Sequence, residues 1–385
     1  MNLITEPSSQ VRQMSGLNFE RQSILSVLVK RTYQILDNSQ CVLADEQMPL
    51  IESAETYKEN QSMLDKDSDL FPFKLMTDVI VKGHAYPTEG QKRSQASIQI
   101  RHHRKVISVI GDRQYMLNAN GKLIFSEPKA LDPIPLRYDF AYGGRDTYAE
   151  RFYKSPFKGW EASLPENFNP MDCSPYIYPR NPFGKGYLMS LNADAIETLE
   201  LPNLEDPNDP LTPDRIIAGK PENWPRMPMP QAMDWVNYDA FPRAAFFGIV
   251  AEHEPVNYPV AEVSQGYVEA DIMQPGSVLD KFSLRCTNGA SLGLQLPYLM
   301  GDDEVILEGL HPKKSEVYLT LPKERPRIWT DGRNGKMNET QPVIHSVIIE
   351  PDESRLSIVW RGAARALRPY MIEELEKMPL RVEWH

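Results

Sequence analysis

Of the 33 prolines in this chain, fifteen fall between Pro156 and Pro242. Each removes a backbone donor and fixes its own φ, so neither a long helix nor a central strand can run through that stretch. Interleaved with them are Trp160, Phe168, Tyr176, Tyr178, Phe183, Tyr187, Trp224 and Trp235, enough aromatic surface for irregular loops to pack. The expectation is a long proline- and aromatic-rich irregular region over 151–242. Rigid aromatics on loops make good interface anchors, which marks Trp160, Tyr176, Tyr178 and Phe183 as candidate partner contacts. The plainer alternative is that they close a core, since large aromatics are mostly buried.

The flanks read differently. Ile24 to Ile35 is apolar and β-branched, Asp37-Asn38 offers a turn, and Cys41 to Ala44 a return strand. Val79–Val81, Ser97–Arg101, Lys105–Ile110 and Gln114–Leu117 continue the pattern. Asn118-Ala-Asn-Gly121, set between Tyr115–Leu117 and Leu123–Phe125, predicts a hairpin. Downstream runs of the same kind begin near Ala244–Val250 and continue through Ser283–Arg285, Val305–Leu307, Val317–Leu321, Val343–Ile349 and Leu356–Trp360. Asn192–Leu199 and Tyr370–Met378 are helix candidates, and Leu380–Trp384 a closing strand. The fold expected is mainly β. Two β-rich, sandwich- or barrel-like halves (1–150 and 243–385) are joined by the irregular middle with few short helices, as three regions or one continuous domain.

Composition excludes several function classes. With 53 acidic against 42 basic residues the formal charge is −11, which argues against a nucleic-acid partner and favours contact with basic or mixed protein surfaces. Cys41, Cys173 and Cys286 are odd in number and widely spaced, so neither a disulfide framework nor a zinc site is expected. Met1 to Gln10 lacks the basic-then-apolar pattern of a signal peptide, and no apolar run is long enough to cross a bilayer. A cytoplasmic protein without membrane contact is the expectation.

Candidate chemistry is sparse. Asp65-Lys-Asp-Ser-Asp69 opens like a calcium loop, but Leu70 and Met76 stand where Gly and Glu are needed. A solvated acidic turn is expected instead. The seven histidines show no metal-binding spacing, and His102-His103 would point to opposite faces of a strand. His84, in Gly83-His-Ala85, is expected to make a structural hydrogen bond at a strand end. Gly143-Gly144 lacks a phosphate-loop context and reads as a tight turn with Asp146 capping amides, and Gly111-Asp112-Arg113 reads alike. Arg113, Arg145 and Arg361 are expected to lock loops by pairing with Asp78, Asp112 or Asp146. No cofactor, metal or catalytic residue is expected. The rival reading is a carbohydrate-binding or glycoside-hydrolysing β protein that uses aromatic loops and a carboxylate pair.

Taken together, Val29-Lys-Arg-Thr-Tyr33, Glu46-Gln-Met-Pro-Leu50, Asp69 to Val79, Gly83 to Ala85, Gly111 to Arg113, Pro135 to Asp146, Asn181 to Gly186, Ile349 to Leu356 and Val359-Trp360-Arg361-Gly362 resemble the bacterial family called domain of unknown function 2169. They occur in that family's order over nearly the whole chain, with a sparse match from Tyr187 to Ala245. The resemblance implies a non-enzymatic adaptor or chaperone of the type VI secretion system. Such a protein holds a toxic effector in the cytoplasm and loads it onto the spike protein VgrG, sometimes with a PAAR-repeat tip. It brings no catalytic residues. A third reading is a structural component that leaves with the spike.

Overall fold

A computed structural model describes residues 10–151, 176–240 and 288–385, apart from positions 19, 21, 190–195, 197–198, 220, 239 and 332–334 within those ranges. The runs expected at Ala244–Val250 and Ser283–Arg285, most of the helix candidate Asn192–Leu199, and Trp160 and Phe168 lie outside the described residues.

The described residues are mainly β. The longest strand, Ser23–Ile35, buries every residue from Ile24 to Lys30, as a strand rich in Ile, Leu and Val on both faces must. It pairs antiparallel with Arg355–Arg365 in an unbroken register from Ile24↔Arg365 to Gln34↔Arg355. Around this pair a seven-stranded sheet runs in the order Val11–Leu17, Ser23–Ile35, Arg355–Arg365, Val343–Glu350, Thr77–Val81, Gln295–Leu296, with Cys41–Leu43 added to Ser23–Ile35. Val343–Glu350 and Thr77–Val81 are its parallel pair. The sheet thus takes strands from both ends of the sequence.

A five-stranded antiparallel sheet follows the order Leu204–Glu205, His103–Ile110, Arg93–Ile100, Glu304–Glu308, Glu316–Thr320. Along His103–Ile110, Lys105, Ile107 and Val109 are buried at alternate positions, the period of two that a one-faced strand requires. One hydrophobic core joins the two sheets, with Val27, Val79 and Ile358 from the first and Ile98, Ile107 and Leu319 from the second. The expected hairpin Tyr115–Leu117/Leu123–Phe125 is present. His102 and His103 are a correction: they sit where the chain turns between Arg93–Ile100 and His103–Ile110, with Arg101 at φ 54° and the two rings 4.1 Å apart. The tight turn, not an extended strand, sets their relation.

The proline-rich middle packs Tyr176, Tyr178, Tyr187 and Trp224 with Tyr115 and Tyr142 into a second core. Tyr178 packs edge-on to Tyr142 at 5.1 Å and stacks with Tyr187 at 5.5 Å, the offset geometries that ring quadrupoles favour. Two of the polar tips are satisfied in place, Trp224 Nε1 donating to Tyr187 Oη (2.8 Å) and Tyr115 Oη to the Gly186 carbonyl (2.9 Å), while Tyr142 Oη is buried with no partner among the described residues. Near the C-terminus, Ile372–Leu375 forms one helical turn where a longer helix was expected. Pro379 lies just beyond it and Leu380–Trp384 then joins a three-stranded sheet. No described helix is long and apolar enough to cross a membrane.

Candidate functional site

The motif residues converge on buried polar latches between chain segments. Asp78, fully buried, accepts from Lys74 Nζ (2.7 Å), Asn288 Nδ2 (2.9 Å), and the backbone amides of Gly289 (2.9 Å) and Ala290 (3.1 Å). Lys74 also donates to Ser346 Oγ (3.1 Å). One carboxylate therefore ties Thr77–Val81 to the segment entering Gln295–Leu296 and to Val343–Glu350. His345, at the irregularity of that last strand, is fully buried. Burial, with Lys74 and Arg361 nearby, holds its pKa well below the ordinary value, so it stays neutral.

Other motif residues also bridge segments, although Asp112 is exposed and His84 only half-buried. His84, in the short strand His84–Ala85, places Nδ1 2.7 Å from Asp352 Oδ2, and Tyr86 Oη donates to the other oxygen (2.9 Å). Gly83 lies against that same carboxylate and Gly111 against the Lys129 carbonyl. Asp112 accepts from Asn203 Nδ2 (3.1 Å). Asp146 caps the amides of Ala149 (2.9 Å) and Met189 (3.0 Å). Gly143 pairs with Gly186 across a short parallel bridge, and Gly144 N donates to the Asn181 carbonyl (2.8 Å). Trp360 is fully buried in the main core.

Three expectations are corrected. The arginines do not pair with the motif aspartates: Arg113 bonds to buried Glu205, Arg145 to Glu150 (3.2 Å), and Arg361 lies over the Phe73 ring at 4.7 Å. Partners brought together by folding displaced those nearest in motif. The acidic Asp65–Asp69 stretch is not a solvated turn, because Asp67 and Asp69 are 1% and 3% exposed. Asp69 accepts from Lys30 Nζ (2.8 Å) and Ile51 N (2.9 Å), and Asp67 from Tyr238 Oη. Of the candidate partner contacts, Tyr176 and Tyr178 are buried in the second core, so packing and not display is their role here, and Phe183 is half-buried against the main core.

Sequence reasoning missed Lys105. It is 7% exposed at the core face of His103–Ile110, and its Nζ donates to Ser291 Oγ (2.5 Å) and the Leu292 carbonyl (2.6 Å). No acid pairs with it among the described residues. Burial pushes its pKa down to about 7, against weaker attraction from Asp206. Because the folded value is depressed, the unfolded chain binds the extra proton between about 7 and 10.5, and stability rises with pH across that window. Urea unfolding at pH 7 and pH 9.5 is expected to show that gain in the unaltered chain and to lose it in Lys105→Met. An equal gain in the two proteins would remove Lys105 as its cause.

Among the described residues, two open clefts lie at the surface. One of about 650 Å³ has the Arg113–Glu205 pair, Phe125, Arg93 and Pro210 in its walls. Another, of about 620 Å³, lies among Gln40–Val42, Glu304–Ile306 and Tyr318–Lys323. Each carries a single carboxylate, Glu205 or Glu304. The arrangement as a whole supports a rigid scaffold whose polar motif residues are consumed in holding segments together. A family model described as an uncharacterized protein conserved in bacteria (DUF2169) matches residues 20–361. No curated protein and no solved structure matches the chain.

Proposed function

The chain belongs to this bacterial family, and on that premise we propose that it is a non-enzymatic adaptor of the type VI secretion system. It binds a toxic effector in the cytoplasm and presents it to the VgrG spike, with or without a PAAR-repeat tip. The observation that carries the reading is the fate of the motif residues. Asp78, Asp146 and Trp360 are buried against backbone amides or the core, and the more open His84 is engaged by the Asp352 carboxylate. A family signature spent on internal latches fits a scaffold that is kept for its surface better than a centre kept for a reaction. Glycoside hydrolysis needs two facing carboxylates about 5–10 Å apart, and neither of these two clefts among the described residues supplies a second one. Stable hold on an effector calls for burial of roughly 800 Å² on each partner. Release then follows competition at the spike.

The test is co-expression of the tagged chain with each protein encoded beside its gene, followed by pull-down and size-exclusion chromatography. The expected result is co-elution with one neighbouring toxin, and loss of that toxin's solubility when the chain is omitted. Neighbours that are soluble alone and never co-elute would overturn the adaptor reading and turn attention to glycan binding. The chain appearing with the spike in culture supernatant would instead make it a secreted component.

A further inference from the structure

Val11–Leu17 ends the seven-stranded sheet and pairs, among the described residues, with Ser23–Ile35 alone. At its two ends Lys30 N donates to the Gln10 carbonyl (2.8 Å) and Asn18 N to the Gln22 carbonyl (3.0 Å). Bonded pairs in an antiparallel ladder recur every second residue. With the register unbroken, Arg12, Met14 and Gly16 bond inward. The backbone N–H and C=O groups of Val11, Gln13, Ser15 and Leu17 therefore point away from the sheet. Apart from a 3.3 Å contact of Arg12 Nη1 with the Val11 carbonyl, none of them meets a partner among the described residues. Folded proteins blunt such edges with lysine, proline or a covering element. This one has no lysine or proline, and its one charge, Arg12, is held by Glu52.

A second observation lies beside this edge. Residues 366–378 are tied down on it: Tyr370 N donates to Ser15 Oγ (2.9 Å), Gln13 Nε2 to the Met378 carbonyl (3.3 Å), and Leu375 and Met378 pack on Leu25, Ala366 and Tyr370. Yet this anchored segment holds Leu367, Met371 and Ile372 at 81%, 67% and 75% exposure, with Leu17 at 50%. Leu17 belongs to the same corner, since it pairs with Ser23 and the Ser23 carbonyl accepts from Ala366 N (2.8 Å). Glu373 and Glu376 lie at the corner, exposed and unpaired among the described residues, with Lys377 exposed beside them. The edge and the corner both fall outside the family match, which spans residues 20–361.

We propose that the Val11–Leu17 edge is the docking site for an extended segment of a partner protein. That segment adds a strand to the sheet, seats apolar side chains on Leu17, Leu367, Met371 and Ile372, and sets lysine or arginine against Glu373 and Glu376. Unpaired backbone groups in a row are answered by another extended backbone, and the chain's net charge of −11 favours a basic one. A second copy of this chain fits less well: its own edge strand offers only Arg12, already held, and each copy carries a net charge of −11. The identity of the partner, an effector, rests on the adaptor reading. The docking mode rests on the edge itself.

The test uses the full chain with each protein encoded beside its gene, and with overlapping twelve-residue peptides tiling those proteins. Ile372→Asp changes an exposed side chain; Gln13→Pro deletes one outward N–H and spares the inward ladder, and the control Gln13→Ala keeps that N–H while also giving up the Gln13–Met378 bond. Ile372→Asp and Gln13→Pro are expected to weaken binding at least tenfold, and Gln13→Ala to leave it unchanged. In the complex, hydrogen exchange at Val11, Gln13, Ser15 and Leu17 is expected to slow at least tenfold, and the bound peptide to be basic and alternately apolar. Co-elution that survives Ile372→Asp and Gln13→Pro, with no slowing at those amides, overturns the edge and leaves the adaptor reading standing. A dimer of the chain alone that Gln13→Pro dissolves makes a second copy the occupant and overturns the proposal. If no neighbour binds the unaltered chain in any format, the adaptor reading falls and the partner named here falls with it.

Discussion

Asp78→Ala is expected to leave little folded protein. Its carboxylate is fully buried and neutralises Lys74, itself 1% exposed, while accepting from Asn288 and from two backbone amides. Truncation strands a buried ammonium, which costs about 3–5 kcal/mol when one partner of a buried pair is removed. The orphaned donors add about 1–3 kcal/mol each. Domains of ordinary stability have about 5–15 kcal/mol in total, so the loss is comparable to the whole. Lys74 and Arg361, the latter 8% exposed, both lie close enough to neutral His345 to hold its pKa down, and the substitution removes the carboxylate that balances Lys74. The measurement is soluble yield and urea midpoint for Asp78→Ala beside Lys74→Met/Asp78→Leu. The double variant removes both charges and is expected to recover the stranded-charge part of the loss, because an apolar pair of similar volume can replace a buried ion pair, while the donors of Asn288, Gly289 and Ala290 stay orphaned. If Asp78→Ala unfolds at the unaltered midpoint, the latch does not hold these segments together.

How much of this was readable in advance differs by element. Ser23–Ile35 was legible because its Ile, Leu and Val runs follow directly from the burial of both faces, and Asn118–Gly121 because turn chemistry is local. The pairing of Ser23–Ile35 with Arg355–Arg365 was not legible, since nothing in either segment names a partner more than 300 residues away. The same limit explains the corrected ion pairs. Lys30 meets Asp69 and Arg113 meets Glu205 across loops whose closure no spacing encodes. The middle was half legible: proline forbade regular elements, but the choice between aromatic anchors and aromatic core depended on what packs over Tyr176 and Tyr178. The Val11–Leu17 edge was hidden for a different reason. An unpaired edge is a property of what is missing beside a strand, and a strand's own residues do not report it.

Gly144→Ala is expected to open the second core while leaving the seven-stranded sheet in place. Tyr142–Gly143 and Lys185–Gly186 run side by side in parallel, and Tyr178 N donates to the Gly144 carbonyl (2.9 Å). A Cβ at Gly144 would stand 2.2 Å from the Gly184 carbonyl oxygen, with φ at +91°. A backbone oxygen cannot swing aside as the end of a flexible side chain can, so the two crossing segments must separate. The conformational strain alone costs about 1–2 kcal/mol. Separation then loosens the Tyr142, Tyr178 and Tyr187 stack, and loss of a buried aromatic contact of this kind costs about 3–5 kcal/mol when complete. Gly90→Ala isolates the first contribution, because Gly90 has φ +78° with nothing within 4 Å of its would-be Cβ. Trp224, bonded to Tyr187 inside the second core, gives a local readout. The unfolding midpoint is expected to drop more for Gly144→Ala than for Gly90→Ala. A red shift of tryptophan emission below that midpoint should accompany only the former, with far-ultraviolet circular dichroism of the β scaffold retained. Equal midpoints for the two alanine variants would mean that the crossing has room for a side chain, and that the paired glycines of this motif serve the turn and not the close approach of the two segments.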